Sequence, residues 1–319
     1  MLERRSWRRD AGTNSTTPLS SMNFKRDTSG ERGAILATHV PLNLTWQALL
    51  PLLLLFVPLL LDFLHGQDAL LLLFFLVSAF AALQEGKGFA AGCFLACGLF
   101  KFHLVLSVAL LVLSMRSKKV ASGFASVALL LLLISVAISG SRFLVSYPRF
   151  LAHFSHLPLA GVSNQQMANL RGLFGLAFPN TAPAALGMTG FTSLLVLGLA
   201  AHSWVTSARA AGRLPALAFG NIVVAAILVS YHLSPHDLVL LLLPMALILH
   251  HLLTCSGIPS GSRMAFMATL ALLFLPPVHL ISLNVHVYTY VCFLLLALFA
   301  ITYMEIRRLS LSLRQSLLS

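Results

Sequence analysis

A lysine interrupts one of the long apolar stretches of this sequence and is the first candidate for chemistry. Lys101 lies in the middle of residues 89–114, with His103 two positions later. A charge at the centre of a bilayer costs at least about 2.5 kcal/mol, so such residues generally serve a function. Lys101 could bind a phosphate together with Arg171 and Arg142, because guanidinium groups grip oxygens bidentately and an ammonium adds a point charge. For each arginine, snorkelling to lipid headgroups is the alternative.

Acidic residues are rare, and Asp237 is the candidate catalytic base. It lies at the start of an apolar helix, after the polar residues 231–236. An acid in the first helical turn can cap the helix and complement its dipole, and this is the alternative to substrate contact or proton transfer. Asp62 and Asp68 flank the turn at 63–67, where Asp68 can cap the following helix. Either could act as a base, but the sequence fixes no geometry between them.

Several neutral polar side chains have the chemistry to hydrogen bond a substrate. The candidates are Gln67, His103, Asn169, His232 and His236. Other histidines on the same predicted face are His65, His153 and His156, but no H-E-x-x-H motif or closed zinc spacing is present. The four cysteines fall within or beside apolar runs, where a free cysteine packs as a small hydrophobe. We therefore expect neither a metal site nor a cofactor.

The composition requires a membrane around these residues. Of 319 residues, 58% are hydrophobic and only 9% are charged. Soluble domains carry roughly 25% charged residues, so a soluble or disordered chain is excluded. The apolar runs predict an all-α, polytopic membrane helix bundle with about eight full spans and a short helix pair at 89–114. The predicted spans are 46–64, 68–84, 120–139, 187–205, 215–231, 237–254, 264–281 and 285–304.

The distribution of basic residues predicts the orientation of the bundle. A single crossing by 89–114 would place the basic tail 1–45 and the basic loop 116–119 on opposite sides of the membrane. Two short helices that meet at Lys101 place both inside, as the positive-inside rule requires. The net charge of +12 then reflects orientation in the plasma membrane, and no nucleic-acid partner is expected.

This topology divides the chain into a cytoplasmic tail at 1–45, a membrane domain at 46–304 and a cytoplasmic tail at 305–319. Lys101 and the loop 140–186 lie on the outer face. A loop longer than 40 residues between membrane helices is expected to be functional.

Four segments in this order resemble bacterial glycosyltransferase family 87. They are His65-Gly66-Gln67-Asp68, Gly98-Leu99-Phe100-Lys101-Phe102-His103-Leu104, Asn169-Leu170-Arg171-Gly172, and the segment from Ser230 to Leu238 followed by Leu243-Pro244. The resemblance covers roughly residues 50–304. It implies a GT-C architecture and an enzyme that transfers a sugar, mannose-like in this family, from a polyprenyl-phosphate donor to a lipid or glycan acceptor on the extracytoplasmic face.

The resemblance also raises the question of activity. Family members begin with additional helices and carry an acidic general base in their first outer loop, and residues 1–45 look unlike that region. We therefore expect a truncated copy, in which activity is lost or another carboxylate substitutes. The alternatives are a multi-span transporter and a non-catalytic lipid-binding membrane protein. A transporter should show an internal repeat and polar groups at mid-depth, whereas the polar groups here gather on one face.

Overall fold

The chain folds entirely into helices wherever the structure describes it. A computed structural model describes residues 53–114, 117–154, 164–208 and 214–318, and these ranges contain no strand. The predicted all-α membrane bundle is therefore confirmed. The predicted basic tail 1–45 lies outside the described residues. So do most of the first predicted span before residue 53, the residues Arg116, His156, Arg209 and Arg213, and the side chains of His153 and Arg314.

Thirteen α-helices and three short 3₁₀ segments follow one another along the described chain. The α-helices are α1 (Val57–Leu64), α2 (Ala69–Gln84), α3 (Gly88–Cys97), α4 (Phe102–Leu113), α5 (Lys118–Ser139), α6 (Phe143–Phe154), α7 (Leu170–Ala177), α8 (Ala182–Ala208), α9 (Leu214–Val229), α10 (Leu242–Thr254), α11 (Ser260–Phe274), α12 (Pro276–Asn284) and α13 (Thr289–Leu318). The 3₁₀ segments are Gly98–Lys101, Asn164–Gln166 and Pro235–Leu241.

Five described helical stretches are long and apolar enough to cross a membrane, or six if the bent pair α11 and α12 forms one span. The five are Gly88–Leu113, Lys118–Ser139, Ala182–Ser207, Pro235–Thr254 and Thr289–Leu313. Helices α2 and α9 are apolar but shorter than these. Most of the predicted spans thus correspond to apolar helices, although several are short for a full crossing.

The stretch Gly88–Leu113 is not one continuous α-helix, because the chain turns back near Lys101. A Cβ placed on Gly98 would lie 2.7 Å from Val105 Cγ2. In a continuous α-helix, seven residues separate two positions by about 10.5 Å along the axis, so α4 must fold back against the 3₁₀ segment. The start of α5 also lies beside the start of α3, because a Cβ on Gly88 would be 3.2 Å from Lys119 Cβ. Both ends of the stretch are therefore at one end of the bundle, and Lys101 is at the other.

Two glycines allow α3 and α5 to pack backbone against backbone. A Cβ on Gly92 would lie 2.1 Å from the Val120 carbonyl oxygen, and one on Gly123 would lie 2.0 Å from the Phe89 carbonyl oxygen. Small residues at such crossings let membrane helices approach closely, and dispersion between the backbones then stabilises the pair. This contact fixes α3, which ends next to the segment that carries Lys101.

Helix α9 forms the centre of the bundle. All residues from 217 to 228 are buried, and the helix packs against α4, α8, α10 and α13. A helix that is apolar around its whole circumference is typical of such a central position. Helices α5 and α8 instead expose most of their apolar residues, which in a membrane would face lipid.

Three features differ from the sequence predictions. The predicted span 264–281 is bent by 49° between α11 and α12, because Leu275 is extended before Pro276, as the residue before a proline tends to be. Helix α13 continues to Leu318, through residues that were predicted to form a tail. Glu305, the first residue of the predicted tail 305–319, is buried, where it contacts His251 at 3.1 Å and receives two hydrogen bonds from Arg308.

Candidate functional site

The polar side chains of the site gather at the Lys101 end of the bundle. Three chain reversals meet there: the turn between α1 and α2, the 3₁₀ segment that carries Lys101, and residues 230–237 after α9. The Ser230–Asp237 segment contacts both of the others, since its 3₁₀ part packs on α1 and α2. The opposite end carries Lys87, Lys119 and the Glu305 ion pair. As predicted, the candidate site residues and the lysines expected to orient the bundle thus lie at opposite ends of it.

Lys101 is held between two carboxylates. Its ammonium Nζ lies 2.5 Å from Asp237 Oδ1 and 2.9 Å from Asp68 Oδ1. The lysine side chain is 10% exposed and that of Asp237 is 4% exposed, whereas that of Asp68 is 51% exposed. A charge removed from water needs such partners, because its desolvation is otherwise uncompensated. The cluster therefore has a buried, fixed carboxylate on one side of the ammonium and an accessible carboxylate on the other.

Asp237 is fixed by the backbone as well as by Lys101. Its Oδ2 accepts a hydrogen bond of 2.8 Å from the Ser234 backbone N–H, which forms part of a capping box at the start of the 3₁₀ segment. Pro235, the first residue of that segment, has no N–H to satisfy there. The expected capping role of Asp237 is present, and the same carboxylate also anchors the lysine. Both Asp237 oxygens are thus engaged within the protein.

Asp62, and not Asp68, caps helix α2. The Asp62 side chain is buried, and its two oxygens accept hydrogen bonds from the Ala69 and Leu70 backbone N–H groups at 3.2 and 3.1 Å. Asp68 makes no such side-chain cap bond. Gly66, at φ 60°, reverses the chain between the two acids in a conformation that glycine adopts readily. The cap by Asp62 leaves Asp68 available to Lys101.

Two pairs of histidine rings lie near the ion pair. The rings of His65 and His236 meet edge to face at 6.2 Å, and His236 Nε2 lies 3.8 Å from Asp237 Oδ1. In the second pair, the rings of His103 and His232 meet edge to face at 6.3 Å. Burial lowers the pKa of His232, and the nearby Arg171 and Lys101 lower it further against the opposing charge of Asp237. His232 is therefore neutral at neutral pH, so its ring can both donate and accept a hydrogen bond.

Arg171 lies beside this second histidine pair. Its guanidinium is 3.9 Å from the centre of the Tyr231 ring and donates a hydrogen bond of 3.1 Å to the Tyr231 carbonyl oxygen. Asn169 is fully buried: its amide donates to the Ser230 carbonyl oxygen and its Oδ1 caps α7 through the Gly172 N–H. Asn169 therefore fixes the backbone at Ser230, and the guanidinium of Arg171 contacts the next residue, Tyr231.

The remaining predicted binding residues are more peripheral. Gln67 is exposed in the turn between α1 and α2, and its amide donates weakly to the His65 carbonyl oxygen at 3.4 Å. Arg142 lines a separate groove along α6 together with Arg149. No set of three or more His, Cys, Asp or Glu side chains in the described ranges has the geometry of a metal site.

A pocket beside the ion pair includes residues that the sequence reasoning missed. Its volume is about 260 Å³, and it is lined by His65, Gln166, Ser234, Pro235, His236, Ser282, Leu283, His286 and Tyr288. The last four residues come from α12 and the turn after it, which the predicted spans placed within or between membrane helices. The sequence predicts that His65 and His236 lie on the same outer face, and this is the signal from which the pocket could have been predicted.

Comparison with known proteins adds one finding. A sequence profile of glycosyltransferase family 87 matches residues 25–235, which is more than half of the chain. No curated protein and no solved structure gave a significant match. The matched range contains Asp68, Lys101 and Arg171, and it ends two residues before Asp237. The chain therefore belongs to glycosyltransferase family 87 and is a membrane glycosyltransferase.

Proposed function

We propose that the protein is a hexosyltransferase that takes a sugar, mannose-like in character, from a polyprenyl-phosphate donor at the extracytoplasmic face of the plasma membrane. The observation that carries this proposal is the ammonium of Lys101, held at one end of a membrane bundle between a buried and an exposed carboxylate. A lipid phosphate can approach that end along the bilayer surface. The acceptor is a lipid or glycan hydroxyl.

In the proposed reaction, the acceptor oxygen attacks the anomeric carbon of the donor sugar. The bond between that carbon and the phosphate oxygen breaks, and the electron pair leaves with the polyprenyl phosphate. Lys101 and Arg171 stabilise the charge that grows on this leaving group, which is where preorganised cations contribute most. Arg142, just before α6, would contact the phosphate of the approaching donor or of neighbouring lipids.

A carboxylate must accept the proton of the acceptor hydroxyl, and two carboxylates form ion pairs with Lys101. Asp237 is the candidate from the sequence, but both of its oxygens are engaged. Asp68 is half exposed and shares the same ammonium. In our proposal the donor phosphate replaces Asp68 on Lys101, while Asp237 keeps the lysine in place. Asp68 is then free to take the proton from the acceptor.

The neutral polar groups around the ion pair complete the substrate contacts. We propose that His103 and His232 hydrogen bond the donor near Arg171, and that Gln67 and His236 contact the sugars on the opposite side. Asn169 acts indirectly by positioning Tyr231 and Arg171. These neutral donors and acceptors suit sugar hydroxyls, whereas the two cations suit the phosphate.

The donor class can be tested directly with the purified protein in lipid nanodiscs. Tritiated mannose is supplied either as undecaprenyl-phosphate mannose or as GDP-mannose, with octyl α-mannoside as the acceptor. We expect labelled disaccharide from the lipid-phosphate donor alone. Product formed only from GDP-mannose would overturn the proposed donor class while leaving the family assignment intact.

A further inference from the structure

The charges around Lys101 are distributed unevenly. Arg171 lies on the His103 and His232 side, where its charge acts on His232. His236, of the other histidine pair, lies 3.8 Å from Asp237 and lines the 260 Å³ pocket. Among the described residues, the lining of that pocket contains imidazole, amide and hydroxyl groups but no charged side chain. The site therefore has a cationic side and a neutral, hydrogen-bonding side.

The polar groups of the pocket converge from four separate parts of the chain. His65 follows α1, Gln166 ends the second 3₁₀ segment, His236 is the second residue of the third, and His286 lies between α12 and α13. Backbone bonds join two of these parts, since the Tyr288 N–H donates to the Gln165 carbonyl oxygen at 2.7 Å. The pocket is thus assembled by tertiary structure.

His286, which lines the pocket, has an unusual backbone conformation. Its φ of 54° is in the left-handed region, and no other non-glycine residue in the described ranges has a positive φ. The ring is exposed on the pocket rather than buried in the core. A residue held in this sparsely populated region at a cavity is a common feature of ligand sites.

We infer that this pocket binds the ring of an uncharged sugar, a pyranose with free hydroxyl groups. Imidazole, amide and hydroxyl groups both donate and accept hydrogen bonds, as sugar hydroxyls do. A ligand phosphate would find its cations outside the lining of this pocket, at Lys101 and Arg171. The inference rests on the proposed function, and it adds a sugar subsite built largely from residues beyond the range that the family profile matches.

Direct binding tests the inference without requiring catalysis. The purified protein is titrated with the methyl α-glycosides of mannose, glucose and galactose, and saturation-transfer NMR reports contact with the ligand. We expect at least one glycoside to bind the wild-type protein. Gln166→Ala should weaken that binding on the order of tenfold, as the loss of a hydrogen bond to a buried hydroxyl does. Absence of binding by all three glycosides would overturn the inference even if the protein transfers sugar.

Matched variants test whether the side chains that line the pocket bind the glycoside. Gln165→Ala is the control for Gln166→Ala, because the Gln165 side chain is exposed and only its backbone oxygen is used. His286→Gly removes the imidazole while keeping the positive φ accessible, and His286→Asn restores a polar group that tolerates this conformation. We expect loss of binding in His286→Gly and recovery in His286→Asn. Equal binding by Gln166→Ala, His286→Gly and the wild-type protein would contradict the subsite.

The transfer assay then distinguishes which sugar occupies the pocket. A raised KM for octyl α-mannoside, with an unchanged KM for undecaprenyl-phosphate mannose, assigns the pocket to the acceptor. The reverse result assigns it to the donor sugar. Either pattern supports a pyranose subsite, whereas unchanged KM values for both substrates in Gln166→Ala and His286→Gly would refute it.

Discussion

At the scale of residues, the two carboxylates that pair with Lys101 differ in accessibility, and we propose a different role for each. Asp237 is buried and engaged on both oxygens, whereas Asp68 is half exposed and pairs with Lys101 through one oxygen. A cation that exchanges one carboxylate for a phosphate can bind the donor and release a base in the same step. This arrangement also explains why a buried lysine is tolerated in an apolar bundle.

The two carboxylates should differ in how their loss affects kinetics. Asp68→Asn should lower kcat by roughly 10²- to 10⁴-fold, the usual contribution of a general base, with little change in the KM for undecaprenyl-phosphate mannose. Asp237→Asn should instead raise that KM and lower the thermal unfolding temperature, because Lys101 loses its buried partner. Steady-state kinetics and thermal unfolding measure both effects. A normal kcat in Asp68→Asn with a lost kcat in Asp237→Asn would place the base at Asp237.

His232 should make the folded protein sensitive to acid. Its pKa in the folded state is lowered by burial, while in the unfolded chain it is near the ordinary value of about 6.5. The stability that the neutral ring contributes is therefore complete above about pH 6.5 and is lost as the pH falls towards the folded-state pKa. We expect the unfolding temperature to fall over this range in the wild-type protein and to fall less in His232→Gln. Parallel pH profiles for the two proteins would contradict this.

At the scale of elements, the short helices α3 and α4 bring Lys101 to the site by folding back against each other. The sequence predicted this pair correctly, because the positive-inside rule leaves only one arrangement for the basic loops on either side of it. It did not predict that α11 and α12 would bend, since a proline at 276 is compatible with a straight or a bent span. The turn after α12, and with it four of the nine residues that line the pocket, was missed for this reason.

The packing of α3 on α5 should depend on Gly123. Gly123→Ala places a methyl group about 2 Å from the Phe89 carbonyl oxygen, so the helices must separate. Overpacking of this kind costs typically about 1–3 kcal/mol, more than the helix propensity that alanine adds. We expect a lower thermal unfolding temperature and lower transfer activity.

Gly190→Ala, in the open surface of α8, is the control because nothing lies within 4 Å of its added Cβ. This variant should unfold at the wild-type temperature or slightly above it. Equal unfolding temperatures for Gly123→Ala and Gly190→Ala would show that the close contact is not needed.

At the scale of the whole molecule, the polar site and the orienting lysines occupy opposite ends of the bundle. The sequence predicted this division from composition and charge, and the family resemblance agreed with it. The contacts within the site could not be predicted, because residues 68, 101 and 237 are far apart in the chain and only the packed helices bring them together. The sequence predicted that Asp68 would cap a helix, and the structure gives that role to Asp62.

The orientation in the membrane should be measurable by cysteine labelling. In a background that lacks the four native cysteines, Gln67→Cys should react with an impermeant maleimide in intact cells. Lys119→Cys, exposed at the opposite end, should react only after permeabilisation. The reverse pattern would place the site on the cytoplasmic side and contradict the extracytoplasmic reaction.

The most direct test of the role proposed for Lys101 is the rate of sugar transfer by Lys101→Ala. With undecaprenyl-phosphate mannose and octyl α-mannoside, we expect this variant to lose at least about 10²-fold in kcat, the usual effect of removing a group that stabilises developing negative charge. Lys119→Ala removes a lysine from the other end of the bundle and should keep the wild-type rate. A folded Lys101→Ala protein that transfers mannose as fast as the wild type would contradict the assignment of the site.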